Sequence, residues 1–223
     1  MTTSARPARP RCEFDHLVVT APTLASGAEF VRRALGVEMR PGGEHPRMGT
    51  HNLLLRLGDA AFLEVIAPNP AAPRPPRPRW FALDDPALRE PRLATWVART
   101  DDLRAWPAAA LAPLGAVEAM TRGARAWLIT IPADGTPPLA GAAPALIEWQ
   151  SPRHAAALDM PASGCSLASL TLSHPIPGDV SRLLAALDLG GVASVRASTG
   201  DAQARLIAEI LTPTGLRTLG SLA

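Results

Sequence analysis

The amino-acid sequence predicts an α+β protein in which βαβββ modules are repeated in tandem. The order of one strand, one helix and further strands begins three times along the chain. The final apolar strand of each repeat ends in Glu-x-x-x-Pro, at residues 64–68, 148–152 and 209–213. Hydrophobic residues make up 47% of the 223 residues, so the chain can bury a sizeable core.

The first module is predicted for residues 13–70. An apolar strand precedes a helix that begins at Thr23 or Ser26 and ends at Gly36, which are favourable residues for the two helix ends. Three strands follow, at residues 37–40, 51–57 and 62–67. A Pro-Gly-Gly turn comes after the first of them.

The second and third modules are predicted for residues 92–152 and 163–217. The second repeats the full order, with a helix that begins at Asp101 or Asp102 and continues to Leu114. The third is a truncated βαββ-type unit with one strand fewer. Residues 71–91 form a linker rich in proline and arginine, and residues 68–79 are expected to be extended and solvated.

Composition and charge argue against several classes of function. The net charge is only +2 and the arginines are scattered, so no nucleic-acid surface is predicted. No apolar run is long enough to cross a membrane, and the polar N-terminus lacks the pattern of a signal peptide. Cys12 and Cys165 lie far apart, which favours reduced thiols in a cytoplasmic protein. A homodimer could form through exposed sheet edges.

Three segments resemble the vicinal-oxygen-chelate superfamily, which includes glyoxalase I, extradiol dioxygenases and bleomycin-resistance proteins. They are FDHLVV at residues 14–19, PRMGTHN at residues 46–52 and FLEVIAP at residues 62–68. The likeness is closest to the branch of glyoxalase-like domains and covers about residues 13–152. It implies that the curved mixed sheets of two modules enclose a cup.

The resemblance also implies where metal ligands would lie, on the first and last strands of each module. Those positions hold His16, Glu64 and Glu148, while the remaining one holds Thr95, or Trp96 if the alignment slips by one. Neither of the last two is a normal ligand. One imidazole and two carboxylates would suit zinc, manganese, iron or nickel, with Glu64 or Glu148 moving protons.

Physical chemistry of the strands gives partial support for an inward direction of these side chains. Strand alternation places His16 on one face with Phe14 and Val18. A carboxylate within an apolar strand must be paired, hydrogen-bonded or bound to a cation. Two alternatives therefore stay open: Glu64 and Glu148 could form buried ion pairs, for example with Arg56 and Arg125, and His16 could be a core histidine.

Further side chains are expected to contact a small-molecule ligand in the cup. His51 and Asn52 follow the turn before the third strand and can lie at the rim. The other candidates are Arg56, Thr95, Trp96 and Trp127. The resulting hypothesis is a metal-dependent lyase, isomerase or dioxygenase that acts on a small oxygenated or carbonyl metabolite. The alternative is a metal-free protein that binds or sequesters a small molecule in the same cup.

Overall fold

The first module has the predicted βαβββ order of elements. The computed structural model describes residues 10–151, 156–199 and 203–220. Helix α1 (Leu24–Leu35) begins with a capping box between Thr23 and Ser26 and ends at Gly36, whose φ of 70° suits glycine. The strands are β1 (Cys12–Thr20), β2 (Arg40–His45), β3 (Thr50–Arg56) and β4 (Phe62–Pro68).

The second module repeats this order with a much shorter helix. Its elements are β5 (Arg92–Thr100), α2 (Ala108–Leu111), β6 (Ala116–Arg122), β7 (Arg125–Ile131) and β8 (Ala145–Ser151). The helix predicted from Asp101 or Asp102 does not form there. The carboxylate of Asp102 instead accepts hydrogen bonds from the backbone of the next turn, and Pro107 delays the helix start.

The two modules form one eight-stranded sheet in the order β2-β3-β4-β1-β5-β8-β7-β6. Antiparallel pairing of β1 with β5 joins them, while β4 and β8 run parallel to β1 and β5, respectively. The sheet curls until its end strands β2 and β6 approach each other, and an ion pair between Arg47 and Glu118 bridges these ends. This half-barrel confirms the predicted cup.

Strand alternation gives the curled sheet two apolar faces. Val18, Ile66 and Val97 lie on the concave face, which we call the cup face. Leu17 and Trp96 lie on the convex face, which we call the back face. The cup face carries the candidate site, and the back face is buried in the main hydrophobic core.

The third module covers the back face with a second sheet. Its elements are β9 (Ser166–His174), α3 (Pro177–Ala186), β10 (Ser194–Ala197), β11 (Arg205–Thr212) and β12 (Gly215–Gly220), in the sheet order β10-β9-β11-β12. Strand β12 was missed in the sequence because it is short and its first four residues are exposed, without apolar alternation. Glu209 is exposed and accepts a hydrogen bond from Ser169.

The Pro-rich linker packs against the cup. Arg77 forms an ion pair of 2.6 Å with Glu118, and Pro75 lies against Gly49. Beyond it, Trp80 and Phe81 are buried in the apolar lining of the cup face. We call residues 69–91 the strap. The expectation of a solvated linker holds only in part: residues 73, 74, 76 and 78 are exposed, but Pro75 and Arg77 contact the half-barrel.

One smaller difference concerns an edge strand. The expected Pro-Gly-Gly turn is part of β2, where an irregularity between Pro41 and Gly43 interrupts the register; proline is tolerated because β2 is an edge strand. None of the helices in the described parts of the chain has both the length and the apolar character needed to cross a membrane.

Candidate functional site

A narrow cavity opens between the cup face and the strap. The space open to the centres of water-sized atoms is about 40 Å³, enough for about three waters. Five phenylalanine and tryptophan side chains line it, and polar groups converge from both modules. The lining includes His16, His45, Asn52, Phe62, Glu64, Trp80, Phe81, Arg122, Trp127 and Trp149.

A β-bulge sets the polar end of this cavity. Phe14 pairs with Ala98 and His16 pairs with Val97, so Asp15 is an extra residue in β1. The bulge breaks the alternation of side chains. Phe14 therefore stacks on Trp96 at the back face, and the predicted shared face of Phe14 and His16 was wrong. Asp15 instead reaches the cup side.

His16 is held between two carboxylates. Its Nδ1 lies 2.6 Å from Asp15 Oδ1, and its Nε2 lies 3.6 Å from Glu64 Oε2, which is an ion-pair distance beyond hydrogen-bond reach. The imidazole also stacks on Phe62 with ring centroids 4.3 Å apart. Asp15 is fully buried and accepts a second hydrogen bond of 3.0 Å from Trp149 Nε1. These contacts fix the orientation of the ring.

Asn52 connects Glu64 to a cation at the cavity mouth. Its Nδ2 donates to Glu64 Oε1 at 2.5 Å, while its Oδ1 accepts from Arg122 Nη1 at 3.2 Å. The same oxygen accepts from the backbone N–H of Gly43 at 2.9 Å. Asn52 is buried, so its amide is fixed by partners on both sides.

The buried charges shift each other's pKa. Burial alone would lower the pKa of His16, but its interactions with Asp15 and Glu64 are stronger and raise it to about 9. Burial would raise the pKa of Glu64, but His16 and Asn52 lower it to about 2. At neutral pH the pair is therefore an imidazolium next to a carboxylate.

His45 has the opposite character. It lies between the edges of Trp80 and Trp127, and its Nδ1 is 3.1 Å from Thr50 Oγ1. Burial lowers its pKa to about 4, and the nearby Arg122 acts in the same direction. The cavity thus contains one charged and one neutral imidazole at neutral pH.

Two of the predicted site residues point to the back face. Glu148 lies opposite Leu128 on β7, and its carboxylate accepts a hydrogen bond of 2.8 Å from the backbone of Leu103. Trp96 is fully buried in the main core and donates to Ala142 O. The structure contradicts their placement in the cup, because strand alternation directs both side chains away from it.

The other predicted ligand contacts divide between the cavity and its surroundings. Asn52 and Trp127 line the cavity with His16 and Glu64. Thr95 is on the cup face but lines a smaller apolar pocket nearby, where it donates to Gly141 O. His51 is half-buried on β3 outside the lining, and Arg56 is occupied by Asp59 and two backbone carbonyls in an outer cleft.

The side chains do not fit the predicted metal centre. His16 Nε2 and Glu64 Oε2 are two potential metal-ligand atoms that face each other. In the described part of the chain, no group of three His, Cys, Asp or Glu side chains is placed to hold a metal ion. A catalytic zinc site normally has three protein ligands. Asn52 cannot supply the third through its oxygen, which already accepts from Gly43 and Arg122.

Several residues of the site were not proposed from the sequence. Asp15 is brought in by the bulge, and Arg122 comes from the far end of the sheet. Trp80 and Phe81 come from the strap, where an apolar pair after a Pro-rich run was the only signal. Trp149 carries a clearer signal, because period-2 alternation on β8 directs it opposite to Glu148.

One similar solved structure supports the fold over most of this chain. A hypothetical protein from Staphylococcus aureus aligns with a TM-score of 0.54 and 14% identity, covering 94% of this chain and 84% of that one. A methylmalonyl-CoA epimerase variant from Streptomyces coelicolor, bound to 2-nitronate-propionyl-CoA, has a TM-score of 0.44 and 16% identity over 64% of this chain and 96% of that one.

A 4-hydroxymandelate synthase variant from Streptomyces coelicolor also aligns, with a TM-score of 0.44 and 16% identity over 95% of this chain and 63% of that one. Among the curated proteins, none matches this chain in sequence. A family model described as a glyoxalase-like domain matches residues 14–187. The chain therefore belongs to the glyoxalase-like domain family.

Proposed function

We propose that the protein is an enzyme that transfers a proton on a small carbonyl-bearing metabolite, with Glu64 as the base and His16 as the acid. The observation that carries this proposal is the buried Asp15–His16–Glu64 arrangement, which faces a cavity with room for about three waters. Perturbed ionisable groups in a cleft are typical of catalytic sites. Membership of the glyoxalase-like family is consistent with this class of substrate.

The charge states of the pair match the two roles. The Glu64 carboxylate can accept a proton from a carbon next to a carbonyl group, and the His16 imidazolium can donate to the oxygen that becomes negative. Asp15 holds the imidazole through Nδ1, so Nε2 is the ring nitrogen directed at Glu64 and the ligand. The Phe62 ring and the strap exclude bulk water from this end of the cavity.

Proton exchange with solvent tests the proposal directly. The protein is incubated in D₂O with hydroxyacetone, dihydroxyacetone or pyruvate, and loss of the C–H signals is followed by ¹H NMR. We expect exchange above the buffer rate for at least one compound. Glu64→Gln and His16→Gln should each slow it by about 10²- to 10⁴-fold, the usual contribution of a general acid or base.

Glu148→Gln is the matched control, because Glu148 also ends an apolar strand but lies on the back face. It should leave the exchange rate unchanged. The proposal is wrong if no compound in the panel exchanges above the buffer rate, or if Glu148→Gln slows exchange as much as Glu64→Gln. Elemental analysis adds a further check: about one zinc, manganese, iron or nickel per chain, lost in Glu64→Gln, would contradict a metal-free site.

The aromatic lining favours a second function, a binding protein without catalysis. Trp80, Phe81, Trp127 and Trp149 surround the cavity and could enclose an apolar or aromatic group. In that case compounds would bind and raise the melting temperature, but neither the wild type nor any variant would exchange C–H protons.

A further inference from the structure

Arg122 is a cation without a counter-ion at the mouth of the cup. It is half-buried, and no carboxylate of the described residues lies within ion-pair distance of it. Its hydrogen bond to a side chain goes to the neutral oxygen of Asn52. Arg125, its cross-strand neighbour, differs because it forms an ion pair with Asp159. A guanidinium in this setting favours an anionic ligand.

The position of Arg122 links the cavity to the outside. Arg122 lines both the narrow cavity and the cleft next to it, so the guanidinium lies where the two meet. Its side chain crosses from the end strand β6 to β2, where a Cβ added to Gly43 would lie 2.9 Å from Arg122 Cδ. Gly43 therefore leaves the space that the arginine side chain uses, and Asn52 holds the guanidinium on the other side.

Asn52 also relates this cation to the proton-transfer pair. One amide joins Arg122 to Glu64, so the guanidinium and the catalytic carboxylate are separated by a single side chain. A planar guanidinium fork matches the two oxygens of a carboxylate. The cavity has room for only about three waters, so a ligand that reaches both groups must be small at this point.

We propose that Arg122 binds the carboxylate of the substrate, which makes the substrate a small carboxylic acid whose next carbons lie beside Glu64 and His16. The inference rests on the proposed function only for the placement of the reacting carbon. Arg122 is a substrate-binding residue in this proposal, and Asn52 is a positioning residue that sets the distance between the anion site and the base.

Indole N–H signals give a local measure of binding. The chain has five tryptophans, of which Trp80, Trp127 and Trp149 line the cavity, whereas Trp96 and Trp106 do not. Pyruvate and hydroxyacetone serve as probes because they share a three-carbon skeleton and differ in the carboxylate. Titration of ¹⁵N-labelled protein with pyruvate should shift the three cavity indoles and leave the other two in place.

Arg122→Gln should weaken pyruvate binding by about 10- to 100-fold, which is the range for a hydrogen-bonded charged partner, and should weaken hydroxyacetone binding much less. Arg125→Gln is the control and should bind pyruvate like the wild type. The inference is wrong if pyruvate binds no better than hydroxyacetone, or if Arg122→Gln binds pyruvate normally. Inorganic phosphate is the third probe, and tighter binding of phosphate than of pyruvate would overturn the carboxylate assignment.

The two proposals fail in different ways. Pyruvate binding that depends on Arg122, without C–H exchange in any compound, would support the anion site and contradict the proton-transfer function. Exchange of uncharged ketones that is equally fast in wild type and Arg122→Gln, without pyruvate binding, would support the proton-transfer function and contradict the anion site. A circular-dichroism melt of Arg122→Gln confirms that the variant is folded before either result is interpreted.

Discussion

Because His45 is buried in its neutral form, the free energy of unfolding should fall in mild acid. Burial holds its pKa at about 4, while an exposed histidine in the unfolded chain has a pKa of 6.5. Between these values the unfolded state binds more protons than the folded state, so the free energy of unfolding falls as the pH drops. The linkage relation gives a loss of about 2 kcal/mol on going from neutral pH to about pH 5.

Urea unfolding at a series of pH values measures this loss. His45→Asn is the comparison variant, because an amide can keep the contact with Thr50 but does not titrate. Subtracting the variant's curve removes contributions from carboxylates that both proteins share. The difference should change by about 2 kcal/mol between neutral pH and about pH 5, a large share of a typical stability of about 5–15 kcal/mol. Parallel curves for the two proteins would refute the claim that His45 is buried in its neutral form.

Three further predictions concern the charged pair, the turn before β8 and the bulge. Because His16 has a raised pKa in the folded state, the stability that it contributes should be complete below about pH 6.5 and lost as the pH rises through 9. Urea unfolding of the wild type should show this loss, and unfolding of His16→Gln should not. Gly141 has a φ of +91°, and Gly141→Ala would place a Cβ 1.8 Å from a backbone carbonyl oxygen, so thermal unfolding should show a destabilisation of about 3 kcal/mol or more. The control Gly123→Ala, where nothing lies within 4 Å of the added Cβ, should cost about 1 kcal/mol. Trp149→Phe removes a hydrogen bond to the buried Asp15 carboxylate and should cost about 2 kcal/mol in chemical denaturation; a cost no larger than that of an exposed substitution would contradict this bond.

Local sequence patterns were sufficient to predict the order of elements in the two cup modules. The apolar alternation, the helix ends and the Gly-Asp turn act over a few residues, and these interactions are the same in the folded protein. The pairing of β1 with β5 depends on contacts between distant segments, and so does the packing of the third sheet on the back face. Periodicity within one strand carries no information about either.

The candidate site was predicted in part. Glu64, which the resemblance implied would face the cup, lines the cavity, and Asn52, which was expected at the rim, is buried next to it. The prediction failed at Phe14, because the bulge at Asp15 inserts an extra residue, and at Glu148, because the repeated Glu-x-x-x-Pro spacing does not determine which face a side chain takes. Arg122 required knowledge of how far the sheet curls. The homodimer and the cytoplasmic location stay predictions.

The seam between β1 and β5 has a consequence for folding. These strands are separated in sequence by the rest of the first module and by the strap. Their pairing therefore closes a long loop, residues 21–91. Either module alone would expose one of these strands as an unpaired edge. We therefore expect the half-barrel to assemble cooperatively and slowly, since nonlocal strand pairing must precede completion of the core. The bulge that positions His16 lies on this seam, so we expect the geometry of the candidate site to form only once β1 and β5 have paired.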